Sequence, residues 1–338
     1  MTAPTGSQAS ASSMTVRDWS MLLLLGAIWG GSFFFARVAV AEIPPINLVL
    51  FRVGIAALAL HLYLPFTGSS FRSVFPMTGS FFGLALLNNV IPFTLMFSGQ
   101  TELGAGAASI LNATTPFWTM ILATLLTADD RLTMNRFAGV VLGMAGTAVM
   151  IAPGMVAGLG GPVWAKLALL GMALSYAFSF LYARRFRGLP PQLVATGQLT
   201  ASTVIMIPVV LLWNGAAGLF SAGPQAWGAV FGLSILATAI GYIIYFSLVR
   251  SAGSTNASLV TLIVPASAVL LGTVFLGERL EWFELAGMGL IAGGLVVIDG
   301  RLFTLRRPAA RANFLHRKAD SVLPANSKPC RRDRSFFP

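Results

Sequence analysis

Charged residues are scarce in this chain of 338 residues. Asp, Glu, Lys and Arg together make up 10% of the sequence, and hydrophobic residues make up 56%. A soluble domain carries roughly 25% charged residues. The mean hydropathy of +0.79 also indicates a strongly apolar chain. This balance excludes an ordinary soluble protein and indicates a chain that lies largely in lipid.

Cysteine and histidine are nearly absent. Cys330 is the one cysteine, and His61 and His316 are the two histidines. The chain can therefore form neither an internal disulfide framework nor a thiolate metal site. It also lacks a GxxxxGK[ST] phosphate-binding loop, so ATP does not drive it directly. We expect no cofactor and no bound metal.

Acidic side chains are missing from the centres of the apolar runs. Those near the runs lie at the ends or in loops: Glu42, Glu102, Glu278, Glu281, Glu284 and Asp299. A proton-coupled carrier often uses a carboxylate buried in the membrane. This absence leaves uniport, exchange or coupling through a group near the membrane edge as the open alternatives.

Long hydrophobic runs recur along the whole chain. They fall at 20–39, 46–64, 79–99, 105–126, 137–153, 164–183, 192–213, 226–249, 255–276 and 282–299. A helix of about 20 apolar residues crosses a hydrocarbon core of roughly 30 Å. The sequence therefore predicts an all-α membrane protein with ten transmembrane helices, preceded by a disordered N-terminal arm, 1–17.

Basic residues are distributed unevenly between alternate loops. One set of loops holds Arg72, Arg131, Arg136, Arg184, Arg185, Arg187 and Arg250, and the other holds only Lys166 and Arg279, with Arg37 near a helix end. Cytoplasmic loops carry the excess of Lys and Arg. The sequence thus predicts cytoplasmic N and C termini.

The tail, 301–338, holds ten of the 22 basic residues. Clustered basic residues next to a membrane attract anionic lipid, at about 1 kcal/mol per residue close to the surface. We expect this tail to lie on cytoplasmic lipid. Charge at loops and tail does not form a nucleic-acid-binding face, so nucleic acid is not an expected partner.

The second half of the chain repeats the first. An offset of 149 pairs Gly83 with Gly232 and Pro116 with Pro265 within longer similar stretches. The predicted repeats are 18–153 and 154–300, with five helices each. Because five is odd, the second copy enters the membrane from the opposite side, which is an arrangement of secondary transporters.

Several short motifs occur in a defined order within this duplication. They are Trp29-Gly30-Gly31-Ser32, Pro44-Pro45 with Phe51-Arg52, Ala108-Ser109 through Pro116, Ala257-Ser258 through Pro265, and Gly277-Glu278-Arg279-Leu280. Over residues 18–299 the chain resembles the EamA type of the drug/metabolite transporter superfamily. The resemblance implies ten helices, cytoplasmic termini, a central cavity, and transport of small metabolites, often amino acids or their derivatives.

Three polar residues in the second and third runs are candidates for substrate contact. Arg52 lies in the second run, and a buried guanidinium can hold a carboxylate through two hydrogen bonds. Asn88 and Asn89 lie near the middle of the third run, where amides can bind a zwitterion. The alternatives are that Arg52 binds backbone carbonyls or extends to the interface, and that the amides join helices.

Prolines interrupt two corresponding runs. Asn112 and Thr115 precede Pro116, and Thr261 precedes Pro265. A proline removes a backbone donor and frees a carbonyl, which is tolerated where the chain lines a cavity. We predict helix breaks with a binding or gating role at both prolines, with a plain packing kink as the alternative.

The remaining candidates are aromatic residues and one glutamine, namely Trp29, Trp118, Tyr176, Tyr242 and Gln198. Aromatic walls suit apolar or cationic substrates, although each ring alone is more often part of the packing. Gln198 matches Arg52 in the second repeat. Glycine pairs Gly139/Gly143 and Gly289/Gly293 allow close helix packing, within the chain or in a homodimer.

These residues predict a secondary transporter that exports small metabolites, such as amino acids or derivatives, by alternating access. An exporter of lipophilic cations is the alternative within transport. A polytopic receptor or an intramembrane enzyme is disfavoured. For the enzyme the reason is that no nucleophile with its base lies at one depth. The high Ala, Gly and Arg usage suggests a bacterial source and an inner membrane.

Overall fold

A computed structural model describes residues 14–126, 134–157, 160–186, 188–215, 219–252 and 260–299. Helices form all of the regular structure in these ranges. The α-helices are α1 (Val16–Ala39), α2 (Pro45–Tyr63), α3 (Thr78–Ala85), α4 (Ile91–Gln100), α5 (Ala105–Asn112), α6 (Thr115–Leu126), α7 (Met134–Ala157), α8 (Val163–Tyr182), α9 (Pro191–Trp213), α10 (Pro224–Phe231), α11 (Gly241–Ala252), α12 (Val260–Leu276) and α13 (Trp282–Asp299). Short 3₁₀ segments cover Leu64–Thr67, Phe71–Met77 and Ala183–Phe186.

Two π-helical segments join pairs of these helices end to end. Leu86–Val90 links α3 to α4, and Gly232–Ile240 links α10 to α11. Each pair therefore forms one long membrane-crossing segment rather than two separate helices. The offset of 149 places both π segments at corresponding positions of the two halves.

Seven helical segments in the described ranges are long and apolar enough to cross a membrane. Three shorter apolar helices accompany them, at Phe137–Pro153, Ile263–Leu276 and Trp282–Val297. Large apolar side chains such as Leu58, Leu62 and Leu212 are exposed, which fits contact with lipid. The all-helical membrane architecture is confirmed, whereas ten spans and the inverted repeat stay predictions.

The ends of the helices follow from local sequence. Thr15 caps α1 by accepting from Asp18 N, and the Asp18 carboxylate accepts from Thr15 N in return. This capping box starts α1 at Val16, before the predicted run and inside the predicted arm, because it satisfies the first free amides. Proline occupies the first position of α2 and of α9, where its missing N–H has no cost.

The packing partners of the two halves correspond. Helix α1 packs against α12 and the α10–α11 segment, and α8 packs against α5, α6 and α4. Helix α2 packs against α9, its counterpart in the other half. The described helices up to Ile298 therefore form one compact unit in which the predicted repeats are interleaved. Of the second unit, 299–338, only Asp299 is described, so the predicted lipid-binding tail lies outside the described residues.

Glycines hold α7 and α13 in direct contact. A Cβ on Gly146 would lie 2.7 Å from the Gly287 carbonyl oxygen, and one on Gly294 would lie 2.7 Å from the Gly139 oxygen. The small-residue face of α7 therefore packs within the chain. Gly289 has open space beside it, and a homodimer through this face stays a prediction.

The two predicted helix breaks differ. Helix α5 ends at Asn112 and α6 begins at Thr115, so the chain is interrupted just before Pro116. Pro265, in contrast, lies inside α12, which continues through it. The break expected at Pro265 is therefore absent, as is tolerated for prolines in membrane helices that pack against neighbouring helices. Ser267 Oγ hydrogen-bonds to the carbonyls of Ile263 and Val264 in this turn.

Candidate functional site

Arg52 lies in the second turn of α2 and is only 6% exposed. Its Nε donates to Thr238 Oγ1 over 3.1 Å. The guanidinium carbon sits 3.8 Å from the centre of the Phe93 ring, and Nη1 lies 4.0 Å from the sulfur of Met96. A cation over an aromatic face is attracted by the ring quadrupole. The arrangement fixes the plane of the guanidinium without neutralising its charge.

No carboxylate pairs with Arg52 in the described part of the chain. Its contacts there are a hydroxyl, a thioether and aromatic rings, together with the hydroxyls of Tyr176 and Tyr242, which lie near enough to interact with its charge. A buried charge is costly unless it is paired. Arg52 is therefore a candidate binding group for an anionic ligand.

Amide side chains are connected to this guanidinium through Tyr242, whose hydroxyl interacts with its charge. Asn88 Nδ2 donates to Gln198 Oε1 over 3.0 Å, and Ser179 Oγ donates to Asn88 Oδ1 over 2.9 Å. The Tyr242 hydroxyl is hydrogen-bonded to both Asn88 and Gln198. The network joins four segments, namely α3–α4, α8, α9 and α10–α11, and therefore both halves. We call the group Arg52, Asn88, Tyr176, Gln198, Thr238 and Tyr242 the Arg52 site.

Asn89 is completely buried and only partly satisfied. Its Nδ2 donates to Ser202 Oγ over 2.9 Å. Its Oδ1 is a buried acceptor with no hydrogen-bond donor among the described residues. An unpaired buried polar atom costs about 1–3 kcal/mol. Such an atom, one residue from Asn88 in the same π segment, is a candidate for a ligand hydrogen bond.

The two π segments carry three of the polar residues described above. Asn88 and Asn89 belong to Leu86–Val90, and Thr238 belongs to Gly232–Ile240, where its hydroxyl donates to Leu233 O over 2.8 Å. The offset of 149 pairs Asn89 with Thr238. A π turn widens the helix and is frequent at functional sites. Here one π segment carries Thr238, which contacts Arg52, and the other carries Asn88 of the same polar network.

Other predicted site residues lie in different surroundings. The Trp29 ring packs against Tyr245 at 5.4 Å, and Gly241 leaves room for its indole nitrogen. Thr115 Oγ1 donates to Asn112 O at the α5–α6 break. Asn112 Oδ1 and Trp118 Nε1 are buried without partners among the described residues. Thr261 is half-buried in the first turn of α12. None of these has a described contact with Arg52.

Sequence reasoning missed several residues around Arg52. They are Phe93, Met96, Ser179, Ser202 and Thr238. The offset of 149 from Asn89 was a signal that could have found Thr238. Phe93 lies one turn after Asn89 and so shares its helix face. Nothing in the sequence marked the two serines.

A second polar region lies at the ends of the helices, and we call it the charged end. It surrounds a cavity of about 740 Å³ lined by Arg37, Glu42, Glu102, Glu278, Arg279, Glu281 and Glu284, among others. Glu278 accepts from Ala105 N over 2.8 Å and from Gly106 N over 3.2 Å, at the start of α5. Arg37 Nη1 donates to the carbonyls of Gln100 and Thr101 at the end of α4. Glu278 and Arg37 are therefore bound to helix ends.

The described residues contain no cluster of His, Cys, Asp and Glu that could hold a metal ion. Apolar helices, corresponding packing in the two halves and a buried guanidinium with no carboxylate partner among the described residues are typical of a membrane transport protein. Comparison with known families identifies it further. The model of the EamA-like transporter family matches residues 19–152 and 163–299, and the chain belongs to this family.

Similar curated proteins have transporter names. The chain is 27% identical over 285 residues to the "Uncharacterized inner membrane transporter YedA" of Escherichia coli (strain K12), covering 82% of this chain and 89% of that protein. It is 26% identical to a "Probable amino-acid metabolite efflux pump" of Salmonella typhimurium, over 88% and 99% of the two chains. It is 27% identical to a "Probable terminal-alkyne amino-acid exporter" of Streptantibioticus cattleyicolor, over 86% and 96%.

One solved crystal structure has the same fold. Its TM-score is 0.61 at 20% sequence identity, covering 87% of this chain and 100% of the other. The family and the relatives together establish a membrane protein that transports small molecules and is not an enzyme.

Proposed function

We propose that this protein exports small metabolites that carry a carboxylate, such as amino acids or their derivatives. The observation that carries the proposal is the buried guanidinium of Arg52, which has no carboxylate partner in the described part of the chain. A guanidinium binds a carboxylate through two parallel hydrogen bonds. The names of two relatives, an amino-acid metabolite efflux pump and an amino-acid exporter, support this substrate class and direction.

The proposed mechanism is alternating access around the Arg52 site. The site is built from both halves, since Arg52 and Asn88 belong to the first and Gln198 and Tyr242 to the second. The corresponding packing of α1 and α8, and the corresponding π segments, support two similar halves that exchange conformations. Export of a lipophilic cation is less favoured, because Arg52 would repel such a substrate.

We also infer that both termini face the cytoplasm of the inner membrane, so that the charged end faces outward. The excess of basic residues in one set of loops supports this orientation. The native Cys330 in the tail is a ready reporter. An impermeant maleimide should label Cys330 only after permeabilisation, whereas Gln225→Cys in a Cys330→Ser background should react in intact cells. The reverse pattern would overturn the orientation.

Metabolite profiling of spent medium tests the substrate class and the direction. Cells that overproduce the protein should enrich one group of carboxylates outside, relative to cells that lack it. Arg52→Gln should abolish the enrichment. Arg72→Gln, which changes an exposed arginine of the 3₁₀ segment Phe71–Met77, should preserve it as the matched control. Enrichment of cations alone, or no change with either strain, would contradict the proposal.

A further inference from the structure

We infer that the Arg52 site selects carboxylates whose amino group is uncharged, such as N-acylated amino acids, over free zwitterionic amino acids. The inference rests on the proposed function, because it uses Arg52 as the carboxylate-binding group. It adds a statement about the other end of the substrate. Three features of the site lead to it.

The first feature is the charge of the site. Arg52 is its sole charged member, and its other members are amides, hydroxyls and phenols. A monoanionic ligand would neutralise this cation. A zwitterion would bring an ammonium group with no carboxylate to receive it in the described part of the site. Taking an unpaired ion out of water costs several kcal/mol, about the scale of a whole binding energy for a weak ligand.

The second feature is the orientation of the Asn89 amide. Ser202 Oγ donates its hydrogen to Gln198 O over 2.7 Å, so it can only accept from Asn89. The nitrogen of the Asn89 amide must therefore face Ser202, at 2.9 Å. This fixes Oδ1 as the free atom, and it is a buried acceptor without a donor. A neutral N–H satisfies a carbonyl acceptor of this kind without desolvating a charge.

The third feature is that both recognising groups lie along one helical segment. Arg52 lies over the ring of Phe93, and Asn89 lies four residues earlier in the same continuous helical segment. Four residues advance a helix by about 6 Å. In this inference one small ligand places its carboxylate on Arg52 and its N–H on Asn89 Oδ1. The carboxylate and the N–H of an acylated amino acid are joined through one carbon atom.

Three related probes test the charge preference on the purified full-length protein. They are N-acetyl-L-phenylalanine, L-phenylalanine and L-phenylalanine methyl ester, which carry net charges of −1, 0 and +1. The expected order of affinity follows that order of charge, with the acetylated acid at least about tenfold tighter than the free amino acid. Equal or tighter binding of the free amino acid would overturn the inference.

Variants of Asn89 test whether its side chain recognises the amino group of the substrate. Asn89→Asp places a carboxylate beside the substrate amine and should shift the preference towards L-phenylalanine by about tenfold or more. Asn89→Leu should remove the advantage of the acetylated acid. Asn214→Asp, at the end of α9, adds the same charge away from the site and should leave the order unchanged. An unaltered preference in both Asn89 variants would overturn the assignment of Asn89.

Arg52→Gln separates this inference from the proposed function. If both phenylalanine and its acetylated form bind the parent protein equally and lose affinity in this variant, the proposed function stands and the charge preference fails. If Arg52→Gln binds every probe as the parent does, or if no probe binds the parent, the proposed function fails and the inference fails with it.

Discussion

The Arg52 site and the charged end differ in whether their ionised side chains have partners within the described part of the chain. At the charged end, Arg37, Glu42, Glu278 and Glu284 each hydrogen-bond to backbone groups at or near the ends of helices. Glu278 binds the first amides of α5, Arg37 binds the last carbonyls of α4, and Glu42 accepts from Gly223 N at the start of α10. Arg52 is only 6% exposed, yet none of its described contacts carries a negative charge that would neutralise the guanidinium.

The difference separates structural charges from binding charges. Helix termini carry partial charges of about half an elementary charge, so a carboxylate at an N-terminus is satisfied there. A charge that the fold itself satisfies contributes to stability. A buried charge that the fold leaves unpaired lowers stability, and we interpret it as a binding group whose partner is a ligand. Substitutions in the Arg52 site should therefore lower substrate binding and transport, whereas substitutions at the charged end should lower the free energy of unfolding.

Loss of the guanidinium should have the largest effect, and it should be an effect on transport. Arg52→Lys retains a positive charge but loses the planar fork and the stacking on Phe93. We expect carboxylate flux in proteoliposomes to fall by about thirtyfold or more, since truncating one partner of a buried ion pair costs about 2–5 kcal/mol. Arg72→Lys should leave the flux unchanged, and equal flux in both variants would remove Arg52 from the site.

Loss of the Glu278 carboxylate should act on stability instead. Glu278→Ala leaves two amides at the start of α5 without their acceptor. The expected loss is about 2–3 kcal/mol in the free energy of unfolding, measured by denaturation in detergent micelles. Affinity for the substrate should change little. A variant with full stability and impaired binding would show that the distinction between the two regions is mistaken.

Gly104 gives a smaller test of the same contact from the other side. A Cβ at this position would lie 2.7 Å from the carboxyl carbon of Glu278 and would displace it from α5. Gly104→Ala should lower the free energy of unfolding by about 1–3 kcal/mol, as overpacking does. Gly289→Ala has open space beside it and serves as the control, with an unchanged or slightly raised stability. Similar results for the two variants would contradict the role of Gly104.

Thr238 should show the smallest effect, and it should act through Arg52. Its hydroxyl accepts from Arg52 Nε and donates to Leu233 O. Thr238→Val removes both bonds and should weaken carboxylate binding about fivefold, because one such hydrogen bond is worth about 1 kcal/mol. Thr238→Ser retains the hydroxyl and should restore the affinity. Equal affinities in the two variants would show that the hydroxyl does not position Arg52.

The sequence predicted the chemistry of the site better than its geometry. Arg52, Asn88, Tyr176, Gln198 and Tyr242 were recognisable because polar groups are costly in apolar runs, and the structure brings these five together. Corresponding helices of the two halves also pack in corresponding places.

What could not be predicted depends on helix rotation and on irregular turns. Helices in lipid are apolar on nearly every face, so the hydrophobic pattern does not show which side meets a neighbour. Trp29 consequently turned out to pack against Tyr245, away from the described contacts of Arg52. No pattern in Leu86–Val90 or Gly232–Ile240 marked a π turn, and Pro265 continued a helix where a break was expected.

The most direct test of carboxylate recognition compares one acid with its neutral amide. Counterflow by the parent protein and by Arg52→Gln would be measured with N-acetyl-L-phenylalanine and N-acetyl-L-phenylalanine amide, which differ only in the ionised group. We predict that the parent protein strongly prefers the acid and that Arg52→Gln, still folded, transports the two equally poorly. A parent protein that does not distinguish them, or a variant that retains the full preference, would contradict the account.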